Sequence, residues 1–408
     1  GVDRPLVAVG RDPRPSGGWL QDAVVEGLTA AGADVALLGV IPTPAVARAV
    51  ADGLPGHPDR PTFGVVISAS HNPAPDNGIK LFAPGGLKLD EATEVEVERA
   101  VDSPVAAATP GRVLIDRSDD PSWYVDALLG TVPVRLDGIK VVVDCANGAA
   151  ATVAAAVYGG AGAEVTVVNT DLSGERINER CGATHLDTLA MTVRERGADL
   201  GLAHDGDADR CLAVTSAGDP VDGDVILAIL ALAAQHRGNL PGDLVVVTVM
   251  SNLGLHRLMT DHGIAVDTTP VGDRHVAERM RATGAVIGGE QSGHTLLTGY
   301  ATTGDGLLTG LQLLAALREA EQTLDQLAAR FTPYPQVLVN VPVTDTAMAL
   351  AAAEPLAAAA SDELGLDGRV LVRASGTEPL VRVMVEAADA DQARALAARI
   401  AAGIGDAR

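Results

Sequence analysis

Residues 63–80 read FGVVISASHNPAPDNGIK. The run FGVVI is short, apolar and β-branched, which predicts a buried strand. Asn72-Pro73 and Asn77-Gly78 are enough to turn the chain after it. Ser68, Ser70, His71 and Lys80 are surplus to that turn, so they are candidates for chemistry rather than geometry.

The surroundings repeat one plan three times. PLVAV (5–9), a helical segment over 18–31 and AGADVALLGV (31–40) form the first copy. IKVVVD, a helix through Ala149–Tyr158 and AGAEVTVVN form the second, over 139–168. DLVVVTV, SNLGLHRLMTDHG and IAVDTT form the third, over 243–268. Each reads as a βαβ unit with Gly where the helix ends, which predicts largely parallel sheets covered by helices. After each unit another strand runs into a polar loop: FGVVI into SASHNP, ADLGLA into HDGDADR (204–210), GAVIG into GEQSGH (289–294). Ligands gather at the carboxyl ends of strands in such sheets.

Beyond the Pro-rich FTPYPQ (331–336) the pattern changes. VLVNVPV, an Ala-rich helical stretch (345–360), RVLVRASGTEPLVRVMVEA and a final helix (390–402) predict a smaller α+β domain with the polar loop RASGTEP (373–379). The expected architecture is three related mixed α/β domains, 1–115, 116–216 and 217–330, plus an α+β domain at 336–408, with four loops on one cleft.

Composition excludes several functions. Thirty basic against 53 acidic residues give a net charge of −23, which repels nucleic acid and anionic membranes. Aromatics at 2% leave little to stack on bases. A phosphorylated substrate would therefore need a local positive pocket. No apolar run is long enough to cross a bilayer. Cys145, Cys181 and Cys211 are odd in number and form no CxxC pair, which argues against a disulfide framework or a structural zinc site and for a cytoplasmic protein.

Asp205, Asp207 and Asp209 alternate, so an extended loop would point all three to one side. Their repulsion calls for a cation, and three hard oxygen ligands suit Mg²⁺. An EF-hand is excluded, because its sixth and twelfth positions would be Arg210 and Ser216. A solvated acidic turn is the plain alternative. Arg210 beside them can grip a phosphate. Ser70 is the candidate nucleophile, and a phosphoryl group on it would add a ligand to the metal. His71 and Lys80 are suited to proton transfer or charge stabilisation, while Ser68 reads as structural. Glu290, Ser292 and His294 suit sugar hydroxyls, with Gln291 expected to tune the preference for an amino group. Arg373, Ser375, Gly376 and Thr377, with Arg382 nearby, form a candidate anion nest. GRDPRPSG (10–17) adds Arg11 and Arg14, and VGDRHV (271–276) adds Asp273 and Arg274. His57, His236, His256 and His262 fit no pattern and read as surface residues.

In this order and spacing, SASHNP, DGDADR, GEQSGH and RASGTEP resemble the α-D-phosphohexomutases. The Gln of the third motif, SGTEPLVRVMVE and INERCGATH (177–185) resemble the amino-sugar branch of that family. The resemblance covers nearly the whole chain. It implies a four-domain phosphoserine enzyme using Mg²⁺, in which Ser70 carries the phosphate and the three aspartates hold the metal. It implies Lys80 as general acid/base, Glu290, Ser292 and His294 at the sugar, and Arg373, Ser375, Gly376 and Thr377 at the phosphate that is not reacting. The implied reaction interconverts glucosamine 6-phosphate and glucosamine 1-phosphate through glucosamine 1,6-bisphosphate, commonly in a homodimer. A mutase of glucose or mannose phosphates and an inactive sugar-phosphate-binding protein stay open as readings. Family members carry a G-T-D-G-x-R-G-like segment ahead of the GRD stretch, and that segment is expected to be missing here.

Overall fold

Valine-rich strands buried on both faces build three mixed sheets, and in each the functional loop is a hairpin. The computed structural model describes residues 4–101, 103, 106–375 and 378–405. It divides the chain into two compact units: residues 1–250 with 264–329, and residues 251–263 with 330–408.

In the first unit, the first sheet runs in the order Leu87–Lys88, Ile79–Ala83, Phe63–Ile67, Leu6–Arg11, Asp34–Val40, Val113–Asp116. Val24, Val25 and Leu28 of the helix Gly17–Ala30 pack on one face, against Val7, Val9, Val35 and Val65. The helix Thr43–Asp52 buries Ala45, Val46, Ala49 and Val50 on the other. That helix lies close because the strands carry glycine beneath it. A Cβ on Gly10 would sit 2.7 Å from Val46 Cγ2, and one on Gly64 would sit 3.0 Å from Val46 Cγ1. Each fully buried valine contributes roughly 1.5–3 kcal/mol, so this two-sided packing is what holds the first loop rigid.

The second sheet is ordered Pro220–Val221, Leu212–Thr215, Leu200–Ala203, Lys140–Asp144, Glu164–Val168. The third is ordered Ala265–Thr269, Leu244–Thr248, Ile287–Gly289, Thr295–Leu297. The helix expected through Ala149–Tyr158 is a 3₁₀ turn, Ala149–Thr152, followed by the α-helix Ala154–Gly160, because Val153 at φ −135° leaves the helical region.

The βαβ pairs are parallel as expected, but the loop-bearing strands turn back. Phe63–Ile67 pairs antiparallel with Ile79–Ala83, Leu200–Ala203 with Leu212–Thr215, and Ile287–Gly289 with Thr295–Leu297. The connections are too short for a crossover, which needs a dozen residues or more, so each polar loop is anchored at both ends in one sheet.

In the second unit the strands Gln336–Pro342, Leu380–Ala387 and Gly368–Ala374 form an antiparallel sheet. The helices Thr346–Leu364 and Ala390–Gly405 cover it through a core that includes Val381, Val383, Val385 and Ile400. The helix Leu253–Asp261 belongs to this unit. Glu386, fully buried, accepts from Leu253 N at 3.1 Å, and Asn252 donates to Tyr334 O at 3.0 Å. His256 on this helix is half-buried rather than a surface residue; burial, then the charge of Arg369, lowers its pKa to about 4. Among the described residues no helix is long and apolar enough to cross a membrane.

Candidate active site

Ser70 stands just beyond the strand Phe63–Ile67, after Ser68 and Ala69, and sits at φ 51°, the left-handed region that a residue with a Cβ enters at a cost of about 1–2 kcal/mol. The loop makes up that cost with hydrogen bonds. Ser70 N donates to Ser68 Oγ at 2.9 Å, and Ser68 Oγ donates to the buried Asp12 at 2.6 Å. Ser68 is structural, as read. The left-handed turn delivers Ser70 Oγ to Asp205 Oδ2 at 2.6 Å, across 135 residues of sequence.

Asp205, Asp207 and Asp209 do come together, with one oxygen from each within 4.8 Å of the others. They do so on a turn rather than an extended loop. Ala208 stands at φ 58° and donates to Asp205 O, so the three side chains converge because the chain turns and not because it alternates along an extended loop. The turn also lies against Ser70: a Cβ on Gly206 would be 2.6 Å from Ser70 O. Asp207 Oδ1 and Asp209 Oδ1 are buried without a hydrogen-bond partner. Two orphaned carboxylate oxygens in a cluster of three carboxylates are what a hard cation would satisfy.

Lys80 enters from the returning strand Ile79–Ala83 and reaches Asp207 Oδ2 at 2.6 Å and Asp209 Oδ2 at 3.1 Å. Burial works against its charge, but Asp207 and Asp209 outweigh it and hold the ammonium protonated far above neutrality. Arg210 Nε lies 4.0 Å from Asp205 and 3.9 Å from Asp209, within ion-pair reach of both, and makes no hydrogen bond. Burial, then the charges of Asp209 and Asp207, pushes Asp205 well above the usual carboxylate range. Asp209 goes the other way: burial opposes, and Lys80, His294 and Arg210 prevail to keep it ionised. His71 is exposed beside them, its pKa lowered by desolvation and then by Arg210.

His294, buried at the end of GEQSGH, joins two candidate groups. Its Nδ1 is 3.6 Å from Asp209 Oδ1 and its Nε2 is 3.3 Å from Asp273 Oδ2. Asp273 also pairs with Lys88. Burial opposes its charge, but His294 and Lys88 outweigh it and lower its pKa to about 2. Glu290 accepts from Gly272 N at 3.1 Å, and Ser292 is exposed. Arg274 is engaged by Glu94. Gln291 corrects an expectation. Its amide donates to Asp222 at 3.1 Å, the cap of the helix Gly223–His236, so it is tied to the scaffold rather than turned to a sugar. Arg11 folds back on its own loop, donating to Asp12 O at 3.2 Å and leaving a buried Nε unpaired.

The other unit carries the remaining candidates. Arg373 and Arg382 are directly opposite on antiparallel strands, and Arg382 reaches Ser375 Oγ at 3.4 Å and Glu378 at 3.5 Å. Like charges opposite one another are unfavourable without an anion between them. Burial and then Arg382 lower the Arg373 pKa. Gly376 and Thr377 lie outside the described residues.

Sequence reading missed Asp12 as a partner of Ser68, Asn178 as a donor to Ser70 O, and Thr43. Thr43 donates to Asp207 Oδ2, and its N donates to Asp207 O at 2.9 Å. GRDPR and INER had flagged the neighbourhood of the first two; nothing in the sequence flagged Thr43.

Four family signatures match in order: phosphoglucomutase/phosphomannomutase alpha/beta/alpha domain I over 2–107, domain II over 122–218, domain III over 222–334 and the C-terminal domain over 338–403. The phosphoglucosamine mutase of Frankia alni is 56% identical, over 98% of this chain and 88% of the relative. The crystal structure of a phosphoglucomutase/phosphomannomutase family protein from Burkholderia thailandensis superposes with a TM-score of 0.85 at 27% identity, covering 99% of this chain and 89% of that one. Aspergillus fumigatus N-acetylphosphoglucosamine mutase, solved with GlcNAc-6P and magnesium, shares the fold at a TM-score of 0.64 and 22% identity, over 85% of this chain and 89% of that one. With a serine presented to an acidic triad on four such domains, the chain belongs to the phosphohexomutase family. Within that family it stands with the phosphoglucosamine mutases, isomerases that move a phosphoryl group within an amino sugar phosphate.

Proposed function

We propose that Ser70 is the phosphate carrier in the interconversion of glucosamine 6-phosphate and glucosamine 1-phosphate. The phosphoserine gives its phosphoryl group to the free sugar oxygen, making glucosamine 1,6-bisphosphate. The bisphosphate turns end for end, and Ser70 takes back the other phosphoryl group. One observation carries the reading: the strained Ser70 places its hydroxyl 2.6 Å from a buried carboxylate of a three-aspartate cluster.

Asp205, Asp207 and Asp209 would hold one Mg²⁺, and the two orphaned oxygens support that fit. The cation would neutralise charge on the phosphoryl oxygens during transfer. The chain's own groups supply the rest. Lys80 is bonded to the same loop that holds Ser70 Oγ, and as general acid it would protonate that oxygen as the phosphoryl group leaves. The Nε of Arg210, which makes no hydrogen bond, would grip the phosphoryl group. Glu290, Ser292 and His294, with Asp273 and Arg274, would read the sugar. Arg373, Ser375, Gly376, Thr377 and Arg382 would grip the phosphate at rest, and the facing arginines support an anion there. The three buried free thiols suit the reducing cytoplasm. The family likeness also points to a homodimer, which sedimentation would test.

Intact-mass measurement should find a phosphorylated fraction that disappears in Ser70→Ala, together with mutase activity on glucosamine 6-phosphate. An alanine variant that keeps most of its turnover would overturn the assignment. Turnover of glucose and mannose phosphates alone would move the chain to the neutral-hexose reading.

A further inference from the structure

We propose that Arg14, assisted by Asn178, is the positioning residue that holds Ser70 in its reactive conformation, an inference that rests on Ser70 being the phosphate carrier. Arg14 is fully buried, yet it faces only one carboxylate. Its Nε donates to Asp12 Oδ2 at 2.9 Å. The other four donors all go to the backbone of the Ser70 loop. Nη2 reaches Ser70 O at 2.9 Å and Asn72 O at 2.8 Å, and Nη1 reaches Asp76 O at 2.9 Å and Pro73 O. A guanidinium has five N–H donors in one plane, and here each is used. Asn178, from the second domain, repeats two of these contacts: its amide donates to Ser70 O at 2.9 Å and to Asn72 O at 3.0 Å.

These carbonyls belong to Ser70 itself and to the residues that follow it in the loop. Gripping Ser70 O fixes the peptide plane after Ser70, and the bond from Ser70 N to Ser68 Oγ fixes the plane before it, so together they hold the backbone that aims its Oγ. Asp12 completes the arrangement, because the oxygen that takes Arg14 Nε also takes the Ser68 hydroxyl that supports Ser70 N. Ser70 is thus held at its N–H through Ser68 and at its carbonyl by Arg14 and Asn178. An ångström of misplacement of a reacting atom can cost about a hundredfold in rate, which is what such a clamp prevents.

The test uses the full chain. Arg14→Lys keeps the charge beside Asp12 but cannot span four carbonyls. Asn178→Gly removes two donors at a position whose own φ of 59° glycine accepts freely, so it stays informative if the arginine variant fails to fold. Each variant is assayed where circular dichroism shows it folded. The measurements are single-turnover phosphorylation of Ser70 from glucosamine 1,6-bisphosphate, the KM for glucosamine 6-phosphate, and Mg²⁺ affinity by calorimetry. Transfer to Ser70 should slow by about 10- to 100-fold in Arg14→Lys and by about tenfold in Asn178→Gly, with KM and Mg²⁺ affinity within about twofold of the parent. Parental transfer rates in the folded variants would overturn the inference and leave Ser70 as carrier. A parent chain that takes no phosphate on Ser70 would overturn both.

Discussion

Lys80→Met should destabilise the metal-free protein and make its stability depend on a divalent cation. Three buried carboxylates are offset by Lys80, at 2.6 and 3.1 Å, and more weakly by Arg210 at 3.9 and 4.0 Å. Removing Lys80 takes the nearest cation from Asp207 and leaves Asp209 with Arg210 and His294 alone. Deleting one partner of a buried ion pair costs about 3–5 kcal/mol. Lys80 is 25% exposed, which puts the cost near the lower end, about 3 kcal/mol. At about 2–4 °C per kcal/mol for a large domain, the melting temperature should fall by about 6–12 °C in chelator at pH 7. Mg²⁺ at a hundredfold excess over its Kd returns about 2.7 kcal/mol and should bring the variant most of the way back to the metal-free parent. The pH dependence has a definite sign. Asp205 already has a folded pKa above its unfolded value, so its ionisation costs stability as pH rises. Losing Lys80 adds to that cost, and lowering the pH from 7 to 5 should narrow the difference between variant and parent. Calorimetry in chelator and in MgCl₂ measures each of these quantities. If Lys80→Met melts with the parent in chelator at pH 7, Lys80 does not neutralise the triad and the electrostatic account of the site fails.

Three further outcomes are expected. His204 is fully buried between Tyr158 and Arg210 O, and burial lowers its pKa from 6.5 to about 4. Its contribution is whole above pH 6.5 and is lost as pH falls through 4, roughly 3 kcal/mol in all, so His204→Gln should flatten the acid limb of urea-derived stability between pH 7 and 4. Gly206→Ala would press a methyl onto Ser70 O at 2.6 Å and Ile177 Cδ1 at 2.8 Å; turnover should drop at least about tenfold, and an unchanged kcat would show that the two loops need no such close approach. Arg373→Ala removes a charge-assisted contact of roughly 1.5–3 kcal/mol, so calorimetry should show glucosamine 6-phosphate binding weakened at least about tenfold with Mg²⁺ affinity intact.

Most of the fold could be read from short-range pattern, because a strand–helix–strand unit is written in contiguous residues. The hairpin character of the loops was less visible: FGVVI reads alike whether its next neighbour runs parallel or antiparallel. At the site, the legible residues are those whose chemistry is conspicuous, such as three aspartates in five positions or a serine and histidine beside a turn. What stayed hidden are contacts made across the fold. Thr43 stands 164 residues from Asp207, and no local feature marks it. Asp12 and Arg14 were visible as charged residues, but that they would be buried together and spent on the backbone follows only from packing. Gln291 shows the reverse error: it lies in a conspicuous motif, yet its amide belongs to a helix cap.

The contact between Ser70 and Asp205 also dictates an order of events during synthesis. The hairpin that bears Ser70 and its arginine clamp closes within the first domain, from partners no more than 62 residues apart. The acidic turn emerges from the ribosome much later, 135 residues after the serine. On the proposed role of Ser70, a nascent first domain holds a shaped but unarmed nucleophile, without the carboxylates that would let it accept a phosphoryl group. Reactivity switches on only when the second domain has folded against it, so a chain stalled between the two would be inert towards cellular phosphosugars.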